Sequence, residues 1–229
     1  IVHRRMFDVD TVTFTSGSTL AVKHIDASYC TGTFLRMTAS PMTSSAIVVE
    51  NVTINSGLQA SGTTTMGFFF ESSTFQDVTY TSTDVTHTSL NCIETGALGA
   101  FYHHRFDKMK LYASTVVLDK HTLYSDLISP SAWGAVVFDD ATHEIMHSNV
   151  AIKNSHFQAY GYSLNRECIA FNLGNIHDSA ISFESVTQIA TITAATYTSH
   201  SITAPQFYRS NVSFSNYLAT IEAENGVIG

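Results

Sequence analysis

Apolar and polar residues alternate in short stretches along this chain: Val12 and Phe14; Val48, Val52 and Ile54; Val78 and Tyr80; Met109 and Leu111; Ile181 and Phe183; Val212 and Phe214. A period of two places such side chains on one face of a strand and the intervening Thr and Ser on the other. Val, Ile, Phe, Tyr and Thr suit a pleated, half-buried surface, so the stretches read as β-strands.

The strands recur. A small residue followed by an apolar cluster appears at Gly32-Thr33-Phe34-Leu35, Gly67-Phe68-Phe69-Phe70, Gly99-Ala100-Phe101-Tyr102 and Gly134-Ala135-Val136-Val137. Weaker copies follow at Cys168-Ile169-Ala170-Phe171 and Ala204-Pro205-Gln206-Phe207. The repeat is roughly 35 residues, within the range of solenoid units. A second column joins an apolar residue, a polar one and then Asn or Ser: Val49-Glu50-Asn51, Phe70-Glu71-Ser72, Ile152-Lys153-Asn154, Phe183-Glu184-Ser185 and Phe214-Ser215-Asn216. Helical repeats of similar length need apolar residues at three- and four-residue spacing, which these segments lack.

A parallel coil accounts for both columns. One turn of chain cannot bury its apolar row alone, but stacked turns pair each backbone with the turns above and below and merge the rows into one core. Asn and Ser suit a recurring bend because their side chains bond nearby backbone and tolerate left-handed φ. Asn51, Ser72, Asn154, Ser185 and Asn216 are therefore expected at equivalent bends, forming a buried polar ladder. The expected fold is all-β: a right-handed parallel β-helix of about six or seven coils, filling residues 1–229 as a single domain. The right-handed sense follows the rule for parallel connections. A β-sandwich is the alternative.

With its glycine-led apolar openings and the segments Glu71-Ser72-Ser73-Thr74-Phe75 and Lys153-Asn154-Ser155-His156-Phe157, the chain resembles the pectin-lyase-like right-handed parallel β-helix superfamily. Within it the likeness is greatest to polymorphic surface adhesin-type repeats. The resemblance implies a structural or adhesive role at a cell surface, with a carbohydrate-active lyase or hydrolase as the enzymatic variant of the same fold.

Composition narrows the partners. The 229 residues are 44% hydrophobic and 13% charged, with a formal net charge of −8. Only His3-Arg4-Arg5 clusters basic residues, so there is no electrostatic footprint for nucleic acid or an anionic membrane. Apolar runs such as Gly67-Phe68-Phe69-Phe70 are too short to span a bilayer, and membrane insertion is not expected. Cys30, Cys92 and Cys168 include no C-x-x-C pair, which argues against a disulfide framework or a thiolate zinc site. Ile1-Val2 and Gly226-Val227-Ile228-Gly229 are apolar and strand-like rather than cap-like. Exposed end coils need cover, so the expected partners are neighbouring subunits or the remainder of the same chain.

One motif offers chemistry. His143-Glu144-Ile145-Met146-His147 matches H-E-x-x-H, in which two histidines one helical turn apart bind zinc and the glutamate activates water. Glu167 is the candidate third ligand. The flanks, however, are strand-like at Val150-Ala151-Ile152, and on a strand Glu144 faces away from both histidines. The expectation is therefore no metal and no cofactor, zinc on His143, His147 and Glu167 with Glu144 as catalytic base being the alternative. Asp107, Asp119, Asp139 and Asp140 read as scattered surface acids rather than a lyase or hydrolase set. His103-His104 beside Arg105 reads as an outward polar patch, with metal or anion binding the alternative. Trp133, Tyr160, Tyr162 and Tyr197 are candidates for stacking on glycans, because flat rings match sugar faces. The chain is thus expected to be an extracellular or surface module, adhesive or structural, that mediates assembly or binds glycans or receptors. Enzymatic activity is the less favoured outcome.

Overall fold

The computed structural model describes residues 5–28, 32–56, 65–92, 100–127, 132–139, 143–161, 169–172, 175–192, 200–203 and 206–223. Every strand pairing among them is parallel and joins one turn of chain to the next. A β-sandwich, built from antiparallel neighbours, is thereby set aside, and the fold is an all-β parallel solenoid.

Each turn visits three sheets in order. The first sheet has seven strands: Arg5–Asp10, Thr33–Thr38, Thr65–Glu71, Ala100–Asp107, Ala132–Asp139, Ile169–Asn172 and His200–Thr203. A narrow second sheet of six strands runs from Met42–Thr43 through Thr74–Gln76, Lys110–Tyr112, Glu144–Met146 and Asn175–His177 to Gln206–Tyr208. The third has ten strands, its long members being Thr19–Ser28, Ala46–Ser56, Thr79–Cys92 and Thr115–Leu127. Its later turns are split by a bend into pairs such as Asn149–Lys153 and His156–Gly161.

The expected six or seven coils are not what the burial supports. About four turns, beginning at Thr33, Thr65, Ala100 and Ala132, have buried side chains on all three sheets among the described residues. At the far end Phe207, Tyr208, Phe214 and Leu218 are exposed, and Met6 and Val12 are exposed at the near end. A turn buries its inward row only where turns lie on both sides, so the repeat continues in the backbone beyond the region where it makes a core.

The core is a set of columns. Met37, Phe70, Phe106 and Phe138 occupy one register, with Phe70 and Phe106 stacked at 5.1 Å and Phe106 and Phe138 at 4.5 Å. Burying each such ring contributes roughly 1.5–3 kcal/mol.

Three series of bends carry non-glycine residues at positive φ. The first includes Ala39, Ser72 and Lys108; the second Ser44, Asp77, Ala113, His147, Asp178 and Arg209; the third His24, Asn51, Asp84, Lys120, Asn154, Ser185 and Asn216. Asn51, Asn154, Ser185 and Asn216 thus share one column, but Ser72 does not, since its register partners belong to the first series. Nor is that column a buried ladder: Asn51, Asn154 and Asn216 are exposed. Asn154 donates to Asp119 at 2.8 Å and Asn51 bonds His24 at 3.1 Å.

The buried serines lie one residue after the bends, in all three series. Ser40, Ser73, Ser114, Ser148, Ser155 and Ser179 each follow a bend and are buried. Ser148 Oγ donates to the Met146 carbonyl at 2.7 Å and accepts from the Ser114 amide at 3.0 Å, and the Ser148 amide in turn donates to Ser179 Oγ at 3.0 Å. The left-handed residue itself donates its amide across to the next turn, as Ala113 does to Met146 at 3.1 Å. These bonds offset a strain of roughly 1–2 kcal/mol per left-handed residue.

Candidate functional site

Among the described residues six polar rings are fully buried; five of them, Tyr80, His87, His103, His104 and His121, cluster in the interior, and the sixth, His143, lies apart against Phe138. Their positions follow from the columns. His121 comes directly after the bend at Lys120, where the two preceding turns place Val52 and Val85 inward. His87 stands in line with Ile54 and Leu123. His104 takes the place that Leu35 and Phe68 hold in earlier turns, and its ring stacks on Phe68 at 4.5 Å.

His103 breaks the alternation. Phe34-Leu35, His103-His104 and Ala135-Val136 are consecutive buried pairs at the same point of the first sheet. Gly67, between Phe34 and His103 in that column, has no side chain to bury. A Cβ there would lie 2.7 Å from the His103 carbonyl oxygen and 3.1 Å from His87 Nδ1. Gly67 therefore makes room for the His87 ring; it is needed for space rather than for backbone freedom. The placement corrects the outward reading of His103-His104, because the local departure from period two turns both residues into the core.

The rings form a directed relay. His121 Nε2 lies 2.9 Å from the Ser82 carbonyl, which can only accept, so Nε2 carries the proton and Nδ1 a lone pair. His103 Nε2, 2.7 Å from His121 Nδ1, then donates, and His103 Nδ1 accepts from His87 Nδ1 at 3.3 Å. On the other side Tyr80 Oη sits 2.8 Å from His104 Nε2, while His104 Nδ1 is buried without a hydrogen-bond partner. Burial keeps all four histidines neutral. It holds His87 down at about 3 and His121 at about 4, and it takes His103 and His104, which also repel their neighbours, well below the ordinary value. One ring nitrogen each from His103, His104 and His121 lies within 4.8 Å of the other two.

The H-E-x-x-H residues are not brought together. Glu144–Met146 is a strand, His143 is buried against Phe138, and His147 sits at a positive-φ bend with its side chain exposed. Glu144 faces outward, where Tyr112 donates to it at 3.1 Å and Lys110 pairs with it at 3.4 Å. Glu167, Tyr162 and Tyr197 lie outside the described residues, as do the side chains of Trp133 and Tyr160. Asp119 is on the third sheet. Asp107 and Asp139, by contrast, stand in register with Glu71 on successive turns of the first sheet, an adjacency that three-way stacking creates and spacing concealed. Glu71 is paired with Arg36 at 3.2 Å and Asp107 with Arg105 at 3.5 Å. Asp140 lies outside the described residues.

No protein-family profile and no curated protein matches this chain. Among solved structures it is similar to HetL, a pentapeptide repeat protein involved in heterocyst differentiation regulation from the cyanobacterium Nostoc. The identity is 11%, the match covers 91% of this chain and 88% of that one, and the TM-score is 0.15. A likeness at that level carries no functional argument.

Proposed function

We propose that the chain is a structural or adhesive module of an extracellular or cell-surface protein, a right-handed β-helix of the pectin-lyase-like kind that meets glycans or neighbouring subunits through its outer faces. The observation that supports the reading is the outward surface of the third sheet. Thr53, Thr86, Thr122, His156 and Thr187 stand in register on successive turns, and Asn55, Thr88, Tyr124 and Gln158 form the next outward row. Turn spacing sets these groups about 4.8 Å apart, so hydroxyl, amide and ring are presented as a repeating lattice on a stiff support. Ion pairs between adjacent turns, Lys23 with Glu50 at 2.7 Å and Lys153 with Glu184 at 3.7 Å, keep neighbouring parts of that face charge-balanced. A lattice of this kind suits a repeating ligand more than a single small substrate.

The test is a glycan microarray screened with the folded protein, followed by calorimetry on any hit and sedimentation to measure self-association. Binding that weakens at least tenfold in Tyr124→Ala and Thr86→Asp supports the reading. A monomer that captures no glycan, or one that turns a polysaccharide over, overturns it.

A further inference from the structure

We propose that the buried histidine cluster is a metal site, and that it takes monovalent copper on three imidazole nitrogens: His121 Nδ1, His103 Nε2 and His104 Nδ1. The inference goes beyond the scaffold reading and does not depend on it.

The hydrogen bonds select the ligands. A ligating histidine ordinarily donates its other N–H to an acceptor, which fixes ring and tautomer. Here the non-ligating nitrogen of each ring already has a partner: His121 Nε2 on the Ser82 carbonyl at 2.9 Å, His104 Nε2 on Tyr80 Oη at 2.8 Å, and His103 Nδ1 on His87 Nδ1 at 3.3 Å. What remains on His121 and His103 is the pair of nitrogens that share a proton at 2.7 Å. What remains on His104 is Nδ1, buried and without a hydrogen-bond partner. The three side chains converge closely enough for a single ion, with one nitrogen from each within 4.8 Å of the others.

Binding conserves protons. In the metal-free relay the proton between His103 and His121 resides on His103 Nε2. When the ion takes both lone pairs, that proton leaves Nε2 and His103 becomes the Nδ1–H tautomer. His103 Nδ1 then donates to His87 Nδ1, which requires the His87 proton to move from Nδ1 to Nε2. Three neutral imidazoles hold the ion, nothing is oxidised, and no net proton is released. His87 is a positioning residue, since it receives the His103 N–H without touching the ion.

The surroundings choose the metal. Rings of Phe68, Phe106 and Phe157 pack around the histidines, and Tyr80 and Ser82 contribute neutral groups. The cost of burying an uncompensated ion rises with the square of its charge, which disfavours zinc and other divalent ions here. Imidazole is a ligand for copper as well as for zinc, so the smaller charge of copper(I) is what favours it in this apolar setting. Because the histidines are fully buried, loading accompanies folding.

The experiment is anaerobic refolding of the chain with a weak copper(I) complex, or with zinc(II), followed by desalting against a strong chelator, metal analysis and X-ray absorption. The expected result is one copper per chain that resists the chelator until the protein unfolds, with a nitrogen-only, three-coordinate shell. His121→Val, which restores the residue of the two preceding turns, and His104→Leu should each lose the copper while keeping the β-sheet circular dichroism. Should either variant fail to fold, absorption on the unsubstituted protein decides alone: sulfur scatterers would place copper on cysteine or methionine and sink the proposal. Folded protein without copper, stoichiometric zinc in its place, or copper retained by folded His121→Val overturns it as well.

Discussion

Gly67→Ala isolates the steric condition on which the histidine cluster rests. The added Cβ would lie 2.7 Å from the His103 carbonyl oxygen, about 0.7 Å inside the 3.4 Å at which ordinary contact begins, and 3.1 Å from His87 Nδ1. The carbonyl belongs to the adjacent strand of a parallel ladder and cannot retreat without disturbing it. Overpacking of this kind costs about 1–3 kcal/mol. Lower entropy of the unfolded chain returns only about 0.4–1 kcal/mol, so the net effect is destabilising. For a chain of this size a net loss of about 1–2 kcal/mol corresponds to a fall in Tm of roughly 2–8 °C. Thermal melts followed by circular dichroism measure it, and amide exchange should show the protection lost first in Thr65–Glu71 and Ala100–Asp107. The double variant Gly67→Ala, His87→Ala should remain less stable than His87→Ala, because removing the ring relieves the side-chain contact and leaves the backbone one. A Gly67→Ala protein that melts within a degree of the parent, with unchanged exchange in those two strands, would refute the reasoning.

Three further outcomes are expected. His87, His103, His104 and His121 are bases held below their ordinary value by burial. Unfolding of the metal-free protein therefore takes up protons, and stability is complete above about pH 6.5 and falls toward pH 4 by roughly 5 kcal/mol per unit when all four contribute; urea midpoints at pH 7, 6 and 5 check this, and a slope no steeper than one histidine supplies would contradict it. Ser148→Ala leaves the buried Ser114 amide without the acceptor it has at 3.0 Å, which should cost about 1–3 kcal/mol in urea denaturation. Ala113→Gly, a change that ordinarily destabilises a strand, should be neutral or stabilising by up to about 1 kcal/mol in the same assay, because Ala113 is held at φ 48°.

Much of the architecture was legible in the sequence because a solenoid repeats its physics at every turn. Alternation along Val48, Val52 and Ile54 or Ile181 and Phe183 comes from the pleat of a single strand, and the recurrence of such stretches comes from stacking, so local pattern and global fold agree. The bends were only half legible. Asn51, Asn154, Ser185 and Asn216 signal left-handed backbone through their own chemistry, but Ala39, Lys108, Ala113 and Arg209 adopt it too. In those residues the bonds to the next turn, rather than any intrinsic preference, hold the conformation. That is also why Ser72 was misplaced: its type fits any bend, and only the register of Glu71 with Asp107 assigns it to one.

The candidate site was the least legible part. His87, His103, His104 and His121 lie on three separate strands, and nothing in their spacing announces a meeting; the adjacent pair His103-His104 suggests one residue inward and one outward. The tertiary structure decides otherwise through an interruption of the pleat at Gly67, His103 and Ala135, where small neighbours let two consecutive residues turn inward. The H-E-x-x-H pattern shows the converse. Its residue types are right for zinc, but the strand at Glu144–Met146 and the bend at His147 send its members in different directions. The sequence by itself determined the period, the strand faces and the composition of the columns, because these follow from residue properties and spacing along the chain. Only the tertiary structure decided which polar side chains share the interior, because that depends on the register between turns and on the space their neighbours leave.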